Sequence, residues 1–209
     1  MADYDILAMA TRADEAKLAK QRARVKPPGV EGMWIVIVGD LLMFLVYFLV
    51  FSIARAGDPV TFELGRQQLN PLLSFANTLV LLTSSWFVFR AVVAARGGDK
   101  DAIRRNLIVA IVLGFTFVVL KLLSYAIDLS HFTLDSNIFF SYYFAVTGIH
   151  CVHVFVGTIL LIVAIAKTRK VLNETTLAWT ECIGLFWHMV DLLWVIIFPL
   201  FYLMGSGVV

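Results

Sequence analysis

His150 and His153 are separated by two residues in HCVH, and His188 and Asp191 by two in HMVD. Each spacing puts two side chains on one face of a helix. Two such helices can offer four ligands to a metal ion. The same residue types carry protons through membranes, or hold helices together by hydrogen bonds. Both pairs lie in strongly apolar surroundings, YYFAVTGIHCVHVFVG (142–157) and FWHMVDLLWVIIFPLFY (186–202). Burying such groups in hydrocarbon is costly unless protein partners take them up.

The elements that position them are legible from composition. Of 209 residues, 60% are hydrophobic and 15% charged. Soluble domains carry about a quarter charged residues. The apolar residues fall in blocks long enough to cross a bilayer, which takes about 20 residues per helix. Five blocks qualify, about 33–53, 71–95, 105–127, 140–166 and 178–204. The fold class is therefore an all-α bundle of five transmembrane helices. Residues 1–32 form an N-terminal arm without the apolar core of a secretory signal, and residues 205–209 form a short tail. The arm contains an amphipathic stretch over 5–22 suited to a membrane surface. A net charge of +2 gives no reason to expect nucleic acid as a partner. Cys151 and Cys182 both lie in apolar segments and are expected to remain thiols.

Asn70-Pro71 opens the second span as N-cap and first helical residue, and Gly97-Gly98-Asp99 closes it. Short connections predict antiparallel neighbours. The arm, the second connection and the fourth together hold thirteen Lys and Arg residues, against two (Arg55 and Arg66) on the other side. The positive-inside rule then predicts a cytoplasmic N-terminus and an outer C-terminus.

Two cations remain inside spans, Arg90 and Lys121. Depth makes Asp40 or Glu181 a partner for Arg90, or else its long stem reaches the cytoplasmic headgroups. Lys121 sits in the outer third of its span and is placed to reach toward Asp128. Glu181, Gly184, His188 and Asp191 share a helical arc of about 80°. Thr147, His150, His153 and Gly157 form a second narrow face, so the two faces are expected to pack on each other. One reading is a metal site of His150, His153, His188 and Asp191. The other is a structural polar network of His150, His153, Glu181, His188, Asp191 and Asp40, in which hydrogen bonds join the helices. The second is favoured, because carboxylates are few and Glu181 lies about 15 Å along the helix from Asp191. Trp187 and Trp194, one heptad apart, mark a packing or lipid-facing stripe. Ser74, Asn77 and Ser84 share a packing face of the second span, and Pro199 is expected to kink the last helix.

The order of these residues resembles subunit III of the haem–copper oxidase superfamily. The resemblance rests on the Thr-Gly-x-His-x-x-His-x-x-x-Gly pattern within 142–157 and on ECIGLFWHMVDLLWVIIFPLFYL (181–203). It extends to GMWIVIVGDLLMF (32–44), and it covers about residues 32–204. LNPLLSFANTLVLLTSSWFV (69–88) and FWHMVDLLW (186–194) look closest to the short branch associated with nitric oxide reductase. The resemblance implies a non-catalytic accessory subunit, without haem or copper of its own. It would sit against a catalytic subunit I that holds haem and copper, supporting that subunit's stability and sustained proton uptake. Phospholipid is an implied ligand, although longer members bind it in a cleft made with two helices that this chain lacks. Asp40 stands where mitochondrial-type members carry a carbodiimide-reactive glutamate, one methylene longer. The competing functions are a stand-alone membrane metalloprotein and a proton-coupled transporter using Asp40, Lys121 and Glu181. Five spans without inverted repeats or broken helices weigh against the transporter.

Overall fold

The computed structural model describes residues 31–131, 138–170 and 173–204. The arm with its surface stretch and the C-terminal tail fall outside them. Five long helices are apolar enough to span a membrane: α1 (Glu31–Gly57), α3 (Pro71–Gly97), α4 (Lys100–His131), α5 (Ile138–Lys170) and α6 (Glu174–Phe198). Helices α3, α4, α5 and α6 close a ring in which each contacts the next, and α1 packs outside it against α5 and α6. Pairs such as Thr78–Trp194, Ser85–His188 and Arg96–Glu181 run in opposite sequence directions, so α3 and α6 are antiparallel. The Phe117–His150 and Lys121–Tyr143 contacts show the same for α4 and α5.

Helix α6 is the most enclosed of the spans, with 61% of its apolar window buried against 17% for α1. That explains why the last span alone tolerates a polar face and a tryptophan face together: both meet protein. The α3 boundaries match the sequence signals. The Asn70 side chain accepts from the amides of Leu72 and Leu73, and Gly98 adopts φ 78° after the last turn. That left-handed conformation suits glycine, which has no Cβ to clash.

Two features depart from the expected pattern. The stretch between the first two spans contains a short helix α2 (Pro59–Gln67), capped by Asp58 and started by Pro59. Phe62 and Gly65 on its inner face are buried, while Val60 and Leu64 are exposed. Phe62 enters a cage made by Phe51, Phe139 and Tyr142, with ring centroids 5.4–6.0 Å away. Gly65 presses on Phe139 so closely that a Cβ would lie 2.5 Å from its ring. The second departure is at Pro199, where α6 gives way to a π-helical turn over Pro199–Leu203. The Met204 amide donates to the Pro199 carbonyl at 3.0 Å, five residues back. The wider turn accommodates the proline and turns both Phe201 and Tyr202 into the bundle.

A polar and aromatic seam as candidate functional site

The polar residues line a seam from the α2 end of the bundle to the Arg96 end. At the α2 end, the Arg66 guanidinium donates to both Glu63 oxygens and, at 3.2 Å, to the Tyr202 carbonyl. The hydrogen bonds it donates to Glu63 raise the Arg66 pKa above its ordinary value, against the opposing effect of partial burial.

Lys121 lies one layer deeper and is fully buried. It points inward, which corrects the expectation that it reaches toward Asp128, whose side chain is not among those described. Its ammonium donates to the Tyr143 hydroxyl at 2.9 Å and the Tyr202 hydroxyl at 3.1 Å, and these hydroxyls lie 2.8 Å from each other. The rings of Tyr143, Tyr125, Trp194 and Tyr202 surround it, with centroids 4.6–5.7 Å away. A desolvated cation over an aromatic face gains about 2 kcal/mol or more, set against several kcal/mol for removing an ammonium from water. The cage and the hydroxyls offset that cost together. A recess of about 60 Å³ is lined by Asn70, Ser74, Ser124, Tyr143 and Tyr202. Beside it, the Tyr125 and Thr147 hydroxyls bond at 2.7 Å.

Trp194 forms the next layer. Its indole N–H donates to Thr78 at 2.9 Å, and its ring stacks on His150 at 5.1 Å and meets the edge of Phe117 at 4.9 Å. His150 is fully buried, and among the described residues neither ring nitrogen has a hydrogen-bond partner. It packs as an aromatic ring. His153 turns toward α1 instead. Its Nδ1 donates to the Ile149 carbonyl at 2.8 Å and its Nε2 lies 3.6 Å from Asp40. A carbonyl only accepts, so Nδ1 holds a hydrogen.

The arc of Glu181, Gly184, His188 and Asp191 is real, but it faces α3 rather than the α5 histidines. Glu181 receives Arg96 at 2.8 Å, a Cβ on Gly184 would lie 3.0 Å from Val92, and His188 Nδ1 is 2.6 Å from the Ser85 hydroxyl. The buried Asp191 carboxylate lies beside Ser85 without a hydrogen bond of good geometry. HCVH and HMVD therefore do not meet, because the tryptophans stand between them. Trp187 fills a slot where a Cβ on Gly114 or Gly157 would come within 2.7 or 2.9 Å of its ring.

Several expectations are corrected by this arrangement. Among the described residues no three His, Cys, Asp or Glu side chains converge to hold a metal ion, so His150, His153, His188 and Asp191 form no ligand set. Arg90 pairs with neither Asp40 nor Glu181, which face His153 and Arg96, and it is exposed. Trp187 and Trp194 are buried in the core, so neither faces lipid. Ser74, Asn77 and Ser84 are buried as expected, with Ser84 donating to the Ala110 carbonyl at 3.0 Å. Cys151 and Cys182 are buried and not joined in a disulfide. The Lys121 cage was missed because Tyr202 appears in sequence as a span-end aromatic; the Pro199 that turns it inward was the available signal.

The family model for cytochrome c oxidase subunit III matches residues 12–206. The chain is 28% identical over 177 residues to cytochrome bo(3) ubiquinol oxidase subunit 3 of Buchnera aphidicola subsp. Acyrthosiphon pisum (strain APS), covering 84% of this chain and 86% of that one. It is 30% identical over 183 residues to cytochrome c oxidase subunit 3 of Alkalihalophilus pseudofirmus, covering 84% and 86%. For cytochrome c oxidase subunit 3 of Synechocystis the identity is 26% over 176 residues, covering 83% and 74%. The chain belongs to the cytochrome c oxidase subunit III family.

Proposed function

We propose that this chain is a non-catalytic accessory subunit of a respiratory haem–copper complex in a bacterial cytoplasmic membrane. Its partner is a catalytic subunit I that carries haem and copper, and this chain holds no redox cofactor itself. Its role is to stabilise that subunit and to support proton uptake during sustained turnover, with phospholipid filling gaps at the contact. The charge distribution supports a cytoplasmic N-terminus, with α2 and the Lys121 layer toward the outer face.

One observation carries the reading. The histidines of the family motifs are occupied by protein contacts: His150 by Trp194, His153 by the Ile149 carbonyl, and His188 by Ser85. Side chains fixed in this way brace helices. The finer assignment is to the branch associated with nitric oxide reductase, supported by the five-span length and the stretches over 69–88 and 186–194.

The test compares the purified complex with and without this chain. The reading expects similar initial rates but faster loss of activity during turnover when the chain is absent. Identical rates and lifetimes in the two preparations would overturn it.

A further inference from the structure

Helix α3 carries two outward side chains, Trp86 and Arg90, unlike the aliphatic residues that suit a lipid-facing surface. Among the described residues, Arg90 is the exposed charged side chain lying six or more residues inside its span. It sits about 10 Å from the Gly97 end by helical rise. Charged residues inside membrane spans almost always face protein or a water-filled cavity. The two carboxylates at comparable depth are engaged elsewhere, Asp40 with His153 and Glu181 with Arg96.

One turn away on the same strip, Trp86 is 58% exposed. It lies about 16 Å from the Gly97 end, near mid-span. Tryptophan in membrane proteins concentrates at the two interfaces, where its N–H finds a partner. Trp86 instead stands at hydrocarbon depth, beside Phe89 with ring centroids 6.1 Å apart. Between them the strip offers donors: a guanidinium and an indole N–H. The nearby Thr83 hydroxyl already donates to its own Leu79 carbonyl at 2.7 Å. Arg and Trp are also the residue types most enriched among those that dominate protein–protein contacts.

Building on the accessory-subunit reading above, we infer that the Trp86–Arg90 strip of α3 is the face that docks the catalytic subunit, against a transmembrane helix presenting a carboxylate to Arg90. The donors of this face require acceptors opposite, and a hydrocarbon tail has none. The outward faces of α4 and α5, with Val112, Phe115, Val152 and Phe155 exposed, are apolar and suit lipid.

The experiment places a photo-crosslinking amino acid at position 86 or 93 on α3, and at 112 or 152 as controls, in the full chain in its native membrane. The inference expects 86 and 93 to label the haem-bearing subunit, and 112 and 152 to label lipid. In parallel, Arg90→Leu is expected to lower the haem recovered with the tagged chain about tenfold, with Arg90→Lys retaining part of it. A normally inserted Arg90→Leu chain with undiminished haem recovery, or subunit labelling from 112 or 152 instead of α3, would overturn the docking face while leaving the accessory role intact. Lipid adducts from 86 and 93 would likewise mean that Arg90 reaches headgroups. If no haem protein accompanies the unaltered chain, the accessory reading fails, and the docking face with it.

Discussion

The Lys121 ammonium donates to the Tyr202 hydroxyl at 3.1 Å, joining residues 81 positions apart across the interior of the bundle. Tyr202 reaches it because the backbone widens into a π turn at Pro199, and the same residue's carbonyl receives Arg66 from α2. One tyrosine thus ties the surface helix, the end of α6 and the buried cation together. Tyr202→Phe removes an acceptor from Lys121 and is expected to cost about 1–3 kcal/mol. Phe75→Leu, at an exposed position, serves as the control. Thermal unfolding in detergent measures the difference, and equal midpoints for the two variants would count against a cation held by this cage.

Trp187 depends on the absence of side chains at Gly114 and Gly157, where a Cβ would come within 2.7 and 2.9 Å of its ring. Gly114→Val is expected to destabilise by overpacking, by about 1–3 kcal/mol. Gly148, with nothing within 4 Å of an added Cβ, is expected to accept alanine with little change. Unfolding midpoints of the two variants check the contrast directly.

The Arg96–Glu181 bridge is expected to matter little on its own. The Arg96 side chain is 56% exposed, and such pairs contribute about 0–1 kcal/mol. Glu181→Gln is therefore expected to leave the unfolding midpoint nearly unchanged at moderate salt. A large drop would show that Glu181 is coupled to the deeper seam at Ser85 and His188.

Asp58 supplies a pH test outside the spans. Hydrogen bonds from the Thr61 side chain and backbone lower its pKa below the ordinary 3.8. A lowered folded value means that the cap is fully effective above about that ordinary value and is lost as pH falls through the folded one. Amide exchange at Thr61, measured relative to Asp58→Asn, is expected to accelerate as pH falls through that window and to stay constant above it. Asparagine also caps but does not titrate. A constant ratio across the window would contradict the cap assignment.

Much of this architecture is legible in the residues. Apolar block length gives all five spans, Asn70-Pro71 and Gly98 give the ends of α3, and the 100° period gives the arc of Glu181, Gly184, His188 and Asp191. A helical arc does not say which neighbour it faces. That is decided by bulk: Trp187 and Trp194 require the α5 side, with its glycine slot and His150, and so Glu181 turns to Arg96 and His188 and Asp191 turn to Ser85 of α3. The direction of Lys121 is hidden for a similar reason. Its stem is long enough to go outward, and the inward turn of Tyr202 completes the set of hydroxyls and rings that receives its charge. Helix α2 is too short to register as an apolar block; its Asp58-Pro59 start is its clearest local signal.

We propose above that this chain accompanies a haem-bearing catalytic subunit and carries no metal of its own. The most direct measurement is a mild-detergent pull-down of the tagged chain from its native membrane, read by visible spectrum and by metal content per chain. The expected result is haem bands that follow a larger partner, and that remain with that partner when stronger detergent separates the two. A colourless preparation with one metal ion per 23.4 kDa chain would contradict it.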